Sequence, residues 1–243
     1  MSGEQTGRLT DGVLVVLPTY NEIANLERTV AGVRRLGYRV LVVDDASPDA
    51  TGELADRLAA ADPGVTVLHR SGKLGLGTAY LQGFKLGLEG DAQLLVEMDA
   101  DGSHLPEHLA AIVDASRRSG GLAIGSRYVR GGSVVGWGAG RWLLSWAANV
   151  YCRLLLGLRV HDSTSGFRCY TRPLLHSIGL ERVLSQGYSF QVEMVYRCAR
   201  LGFPIVEVPI RFEDRVLGKS KVSEGEVRKA LFNVLRLRFS RWP

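Results

Sequence analysis

The chain has 243 residues, 46% of them hydrophobic, enough for one large α/β domain or two small ones with a well-buried core. A formal net charge of +5 suits anionic partners such as nucleotide phosphates, nucleic acid or a membrane surface without choosing among them. Three cysteines, Cys152, Cys169 and Cys198, are odd in number and lack C-x-x-C spacing, which argues against a disulfide framework or zinc site and for packing in a reducing compartment.

Residues 1–11 are polar and read as an N-terminal tail rather than a cleavable signal peptide. From residue 12 the pattern alternates. Strands are expected at 12–17, 39–43, 65–68 and 94–98, and helices at 22–36, 51–60 and 77–88. Such a succession builds a single Rossmann-like, mostly parallel sheet flanked by helices, with a ligand crevice along the carboxyl ends of its strands. The turn-rich segments at those ends are Pro18-Thr19-Tyr20-Asn21-Glu22, Val43-Asp44-Asp45-Ala46-Ser47-Pro48-Asp49 and Lys73-Leu74-Gly75-Leu76-Gly77.

The fourth strand runs into Glu97-Met98-Asp99-Ala100-Asp101-Gly102-Ser103. Carboxylates at alternate positions of an extended segment point the same way and together reach one hard cation, Mg²⁺ or Mn²⁺, that also grips substrate phosphates. An isolated D-x-D is more often a solvated turn, so its neighbours decide the matter. The glycine loop is neither a Walker loop nor a dinucleotide fingerprint, and its glycines serve equally for close helix–strand packing.

Further along, residues 131–140 hold five glycines and read as a mobile loop, either a lid or a passive linker. An amphipathic helix is expected at 141–158, with Arg141, Ser145, Asn149 and Cys152 on one stripe and Leu143, Trp146, Val150 and Leu154 on another. A second begins at the capping-box pair Ser223 and Glu226, with Val227, Leu231, Val234 and Leu235 as its apolar face and Arg228, Lys229, Arg236, Arg238 and Arg241 as its charge. It docks either on a membrane surface or on the domain itself. No segment supplies the ~20 uncharged apolar residues of a spanning helix.

Taken in order, these motifs resemble the GT-A glycosyltransferases of family two, and within them the dolichol- or polyprenol-phosphate mannose synthases. Besides the segments above, the resemblance rests on Gly125-Ser126-Arg127-Tyr128, Asp162-Ser163-Thr164-Ser165-Gly166-Phe167-Arg168, Gly187-Tyr188-Ser189-Phe190-Gln191-Val192-Glu193, and Glu207-Val208-Pro209-Ile210-Arg211-Phe212 with Arg215 and Gly218-Lys219-Ser220-Lys221. It implies a single GT-A domain over residues 12–243, with a nucleotide- and metal-binding half at 12–128 and an acceptor-binding half at 129–243.

Carried over position by position, Pro18, Tyr20, Glu22, Asp44, Asp45, Lys73, Gly77, Asp99, Arg215 and Lys221 would hold the nucleotide. Asp99, Asp101 and Ser103 would hold the cation, Ser103 standing where similar enzymes often carry glutamine. Arg127, Arg141 and Ser145 would grip an acceptor phosphate, Gln191 and Glu193 would bind sugar hydroxyls, and Asp101, Arg127 and Arg215 would carry catalysis. Arg211 reads as a solvated charge at a strand edge.

The implied reaction is inverting transfer of mannose from GDP-mannose to a polyprenyl monophosphate, with UDP-glucose-dependent glucosyl transfer as the alternative. Such an enzyme would be cytoplasmic and peripheral, reaching its lipid at the cytoplasmic face of a membrane by interfacial binding or through a membrane-embedded partner. A basic nucleic-acid-binding module is the reading from another class. Scattered basic residues and the lack of an RNP or helix-turn-helix signature weigh against it, so no nucleic-acid partner is expected.

Overall fold

A computed structural model describes residues 12–185, 187–214 and 224–239, with the backbone alone for residues 188 and 224–230. Strands β1 (Val13–Thr19), β2 (Arg39–Asp44), β3 (Val65–His69) and β4 (Leu94–Glu97) lie parallel in the order β3-β2-β1-β4. Their connections are α1 (Leu26–Arg35), α2 (Thr51–Ala61) and α3 (Leu76–Glu89). Buried on both faces, β2 reads as the continuous run Val40-Leu41-Val42-Val43 that a helix-covered strand requires. Helix α1 starts later than residue 22 because the Glu22 carbonyl closes a turn, accepting from the Asn25 and Leu26 amides at 3.0 and 2.9 Å.

After α4 (Leu109–Ser119), β5 (Leu122–Ser126) does not pair with β4. The chain continues through β6 (Ser133–Val135) and α5 (Ala139–Leu156), and then β7 (Arg168–Thr171) fills the gap, antiparallel to both β4 and β5. Reversal of this one strand brings the loop that enters it, residues 162–167, to the edge where the parallel strands end. Register places Arg168 beside Glu97 on one side and Ile124 on the other. Helices α6 (Arg172–Ile178) and α7 (Tyr188–Arg200) follow, and β8 (Ile205–Pro209) completes a seven-stranded sheet beside β5. The glycine-rich stretch 131–140 is not simply a loop. Its β6 pairs with β9 (Arg211–Glu213) in a separate two-stranded sheet. Arg211 is exposed and pairs with Glu213 at 3.0 Å.

Helices cover both faces of the main sheet. One apolar layer gathers Leu26, Val30 and Val33 of α1, Ala55 of α2 and Leu109, Ile112 and Val113 of α4; the other gathers Tyr80 and Phe84 of α3 with residues of α5, α6 and α7. Helix α3 approaches β1 and β4 closely at its glycines. A Cβ on Gly83 would lie 2.5 Å from Val16 Cγ1, and one on Gly87 would lie 2.6 Å from Leu95 Cδ2.

Helix α5 is inside out relative to a surface helix. Asn149 and Cys152 of its polar stripe are buried, and Asn149 Oδ1 accepts from the amide and hydroxyl of Ser163 at 2.7 and 2.9 Å. Its apolar stripe faces outward: Trp146 is 45% exposed and Leu154 81% exposed. Helix α8 (Glu224–Phe239) docks on the domain, with Val234 and Leu237 in the core and Asn233 Nδ2 donating to Ser189 Oγ at 3.1 Å. Of its expected apolar face only Val234 points inward among the described side chains; Leu231 and Leu235 are exposed, as are Phe232 and Phe239. Among the described residues no helix is long and apolar enough to cross a membrane.

Gly83→Val tests the α3 contact. The extra carbons have nowhere to go against Val16, and a loss of about 1–3 kcal/mol is expected, read as a lower Tm. An unchanged Tm would show that α3 has room above β1.

Candidate active site

The D-x-D motif follows directly on β4. Tyr80 Oη, brought by α3, donates to Asp99 Oδ1 at 2.9 Å, and the Asp99 amide donates to His104 Nδ1 at 2.9 Å. Gly102 turns the chain at φ +81°, so that the Ser103 amide and hydroxyl both donate to Asp101 Oδ1, at 3.0 and 2.6 Å. Ser103 thus orients Asp101. Asp101 is buried, whereas Asp99 keeps partial exposure. Among the described residues no group of three His, Cys, Asp or Glu gathers as a metal cage. Hard carboxylate oxygens without a full cage fit a cation that keeps waters and takes its remaining ligands from a substrate diphosphate, the habit of Mg²⁺ and Mn²⁺.

The loops after β1 and β2 are locked together. Asn21 and Ser47 are joined by an N–H to Oγ bond of 3.1 Å, Glu22 N donates to Thr51 Oγ1 at 3.0 Å, and Ile23 N donates to Asp49 Oδ2 at 3.4 Å. Asn21, Ala46 and Ala50 have φ of 62°, 54° and 65°, a region costly for residues with a Cβ and tolerated where the surroundings enforce it. Asp44 accepts from the Thr19 hydroxyl at 3.1 Å and from the Ser47 amide and hydroxyl at 3.1 and 2.5 Å. Asp45 accepts from Arg70 Nη1 at 2.5 Å and from the Leu74 and Gly75 amides, each at 3.1 Å.

The structure therefore turns the Asp44/Asp45 pair inward as the clamp on these loops rather than presenting it as an open acceptor surface. Tyr20 here is half-buried, with the ammonium of exposed Lys73 4.0 Å above its ring. Gly77 lies where a Cβ would meet Phe190 Cβ at 3.0 Å, so its first role is packing α3 on α7.

Behind the D-x-D motif sits a buried polar cluster that sequence reasoning missed. Arg168 is fully buried and donates to the carbonyls of Ser165 (2.6 Å), Gln191 (2.6 Å) and Ser163 (2.7 Å). Glu97, its neighbour across the β4–β7 ladder, is also fully buried; burial pushes its carboxyl up to about 7 even though the Arg168 charge, the Tyr170 phenol and the Gln191 amide favour ionisation. Gln191 reaches this centre, and its Nε2 and Asp99 Oδ2 each lie 3.5 Å from where a Gly166 Cβ would stand. Glu193 does not. Its carboxylate is buried against Arg197 and accepts from Arg197 Nε and the Ser185 amide, both at 2.8 Å, which anchors the loop ahead of α7 and corrects its assignment to sugar binding.

On the acceptor side, Arg127 at the end of β5 is held in a fork by Asp162, through Nε and Nη2 at 2.7 Å each, and Nη2 also donates to Thr164 Oγ1 at 2.8 Å. Arg141 pairs with Asp214 at 2.7 Å, and the Tyr128 ring meets Trp142 edge-on with centroids 6.3 Å apart. Arg127 and Arg141 both lie over the ring of Trp137, their guanidinium carbons 5.4 and 4.2 Å from its centre. Trp137 was hidden among glycines in the sequence. Arg215 and Lys221 lie outside the described residues.

For Asp162, burial pushes the carboxyl up, but the Arg127 guanidinium and its hydrogen bonds outweigh this and hold it below the ordinary 3.8. A depressed folded-state value means that the pair's stabilisation is present above about pH 4 and is lost as pH falls further. Asp162→Asn should cost about 3–5 kcal/mol at neutral pH and remove that part of the acid dependence, both measurable by denaturant titration from pH 7 to pH 3. An unaltered acid profile would refute this role for the pair.

Comparison with known proteins follows the same lines. Residues 14–179 match the model of the Glycosyl transferase family 2 domain. The polyprenol monophosphomannose synthase of Mycolicibacterium smegmatis is 51% identical over 232 residues, covering 94% of this chain and 88% of that protein. The undecaprenyl-phosphate mannosyltransferase of Micrococcus luteus is 52% identical over 226 residues, covering 92% and 93%.

Among solved structures, glucosyl-3-phosphoglycerate synthase from Mycobacterium tuberculosis, in complex with Mn²⁺, UDP-glucose and phosphoglyceric acid, superposes with a TM-score of 0.67 at 22% identity, covering 98% of this chain and 85% of that one. The mannosyltransferase PcManGT from Pyrobaculum calidifontis, in complex with GDP-Man and Mn²⁺, gives 0.57 at 16% identity, covering 98% and 76%. These last two share the fold. Family match and high-identity relatives together establish that the chain belongs to glycosyl transferase family 2.

Proposed function

We propose that this protein transfers mannose, with inversion, from GDP-mannose to a polyprenyl monophosphate. The observation that carries the lipid-phosphate half is helix α5. Its first turn presents Arg141 beside Trp137 and Arg127, while Trp142, Leu143 and Trp146 of the same helix face outward and exposed. A phosphate at the guanidinium groups and an apolar tail along the exposed side would satisfy both. Mannose as the sugar and a polyprenyl phosphate as acceptor are supported by the names of the two high-identity relatives.

In this reading an oxygen of the lipid phosphate forms a bond to the anomeric carbon from the face opposite the nucleotide. The bond from that carbon to the β-phosphate oxygen breaks, and its electron pair leaves with GDP. A divalent cation at Asp99 and Asp101, Mg²⁺ or Mn²⁺, would neutralise the leaving diphosphate. Ser103 holds Asp101 for that task, and Tyr80 holds Asp99. Tyr20, Pro18, Glu22 and Lys73 border the nucleotide, with Asp44 and Asp45 fixing the loops that shape its site and Arg215 and Lys221 proposed to close over the diphosphate. Gln191 faces the sugar. Arg127, Arg141 and Ser145 receive the acceptor phosphate, for which planar guanidinium groups offer paired donors. That phosphate is already ionised at neutral pH, so no side chain is needed as a strong base.

Exposed Trp142, Leu143, Trp146, Phe232 and Phe239, with Arg153, Arg236 and Arg238 on the same helices, suit a peripheral enzyme resting on the cytoplasmic face of a membrane.

The test is radiolabel transfer from GDP-mannose into organic-extractable lipid with polyprenyl phosphate and Mn²⁺, beside a UDP-glucose reaction. Label from GDP-mannose is expected, and Asp101→Ala should reduce it by at least about a hundredfold, since the cation stabilises charge by several kcal/mol. Wild-type rates from that variant would defeat the metal assignment. Label from UDP-glucose alone would change the donor.

A further inference from the structure

Helix α5 is anchored late along its length. Its buried residues are Asn149, Cys152 and Leu156, so the turns that carry Arg141 and Ser145 lie ahead of the first residue that enters the core. Where an apolar side chain would ordinarily pack, the helix places an amide. Burying an amide is costly unless its hydrogen bonds are made, and here both ends are engaged. Oδ1 accepts from the Ser163 amide and hydroxyl at 2.7 and 2.9 Å, while Nδ2 donates to the Ser145 carbonyl at 3.0 Å and to Thr164 Oγ1 at 3.1 Å. Donors at one end and acceptors at the other leave the group a single way to sit.

These partners belong to the two sides of the acceptor site. Ser145 lies one helical turn before Asn149, and Arg141 one turn before that. Thr164 lies on the facing loop, where its Oγ1 also accepts from Arg127 Nη2 at 2.8 Å and donates to Asp162 Oδ1 at 3.2 Å. Thr164 therefore stands between the asparagine and the arginine. Aromatic rings also connect α5 with this region, Trp137 beneath both guanidinium groups and Tyr128 against Trp142. Apolar contact is non-directional and lets surfaces slide, whereas hydrogen bonds weaken steeply away from their preferred angle and length. The amide is thus the group that specifies register.

We propose that Asn149 is a positioning residue for the acceptor: it fixes α5 against Ser163 and Thr164, and so sets how far the turn bearing Arg141 and Ser145 stands from Arg127. This rests on the acceptor-site reading of those three residues. Asn149 touches no substrate; it acts through Thr164 and through the Ser145 turn. A phosphate that must meet guanidinium groups from two separate segments gains from both only when their spacing is preset. Leucine at this position would pack the helix with similar bulk and leave that spacing unspecified.

The experiment is steady-state transfer from GDP-mannose to a soluble short-chain prenyl monophosphate, so that altered membrane contact cannot imitate the effect, by the full chain carrying Asn149→Leu, Thr164→Val or both. Expected is a rise of about tenfold in KM for the prenyl phosphate from either single change, with KM for GDP-mannose unaltered. Because both changes break one connection, the double variant should be no worse than the poorer single. Mn²⁺-dependent GDP binding should match wild type throughout, which shows the donor half intact. KM values that rise together, an unaltered acceptor KM, or effects that multiply in the double variant would overturn the proposal and leave Asn149 a packing residue. Should Asn149→Leu not fold, Asn149→Ser, whose hydroxyl is too short to span Ser163 and Thr164 together, takes its place in the cycle. Wild-type protein that transfers to no prenyl phosphate defeats the acceptor reading and this proposal with it; wild-type transfer with unaltered variants defeats this proposal alone.

Discussion

A guanidinium without solvent is the fixed point of this site. Arg168 has no exposed surface, and it is stabilised by donating to three backbone carbonyls, on the loop at 163 and 165 and on helix α7 at 191. Each of those segments is irregular or newly begun. Burying such a charge is tolerable only with donors satisfied and an opposing charge nearby, and Glu97 across the strand pair answers the second requirement. The antiparallel strand is what makes the meeting geometrically available. Had β7 run parallel to its neighbours, Arg168 and the Asp162 loop would have emerged at the opposite edge, away from Asp99.

From that anchor the remaining charged groups fall into a consistent division of labour. Most carboxylates near the crevice hold protein rather than await ligand: Asp44 and Asp45 fasten loops, Asp162 holds Arg127, and Glu193 holds Arg197. At the strand edge Asp99 and Asp101 are each aimed by a hydroxyl, from Tyr80 and from Ser103. Preorganisation of this kind leaves little rearrangement to be done when charge develops in the transition state. The acceptor side follows the same logic, with two arginines gathered over the ring of Trp137.

Much of the first half was legible because buried parallel strands and their crossover helices leave strong periodic patterns, and because D-x-D after an apolar strand is an unusual place for two charges. Residues beyond about 128 were less so. Four-residue β7, with arginine and cysteine among its members, carries no alternation that marks a strand, and its reversed direction is a property of topology rather than composition. Helix α5 was recognised, yet its orientation was not readable: an apolar stripe normally faces inward, and here Asn149 is recruited inward by Ser163 while Trp146 and Leu154 are left outside. Glu193 looked like a sugar ligand because nothing in the sequence announces that Arg197, one turn later, would take it. Glu97 was in plain view beside the motif and passed over, because a carboxylate at a strand end is ordinarily solvated.

The claim on which all of this turns is that the Asp99–Asp101 edge binds nucleotide and cation as one unit. Calorimetric titration of the full-length chain with GDP, with and without Mn²⁺, measures that directly. Mn²⁺ should raise GDP affinity by about tenfold or more, a coupling of ordinary size between linked sites, and Asp99→Asn or Asp101→Asn should abolish the increase while leaving metal-free GDP binding in place. Equal GDP affinity with and without Mn²⁺, or coupling that survives both substitutions, would contradict the account.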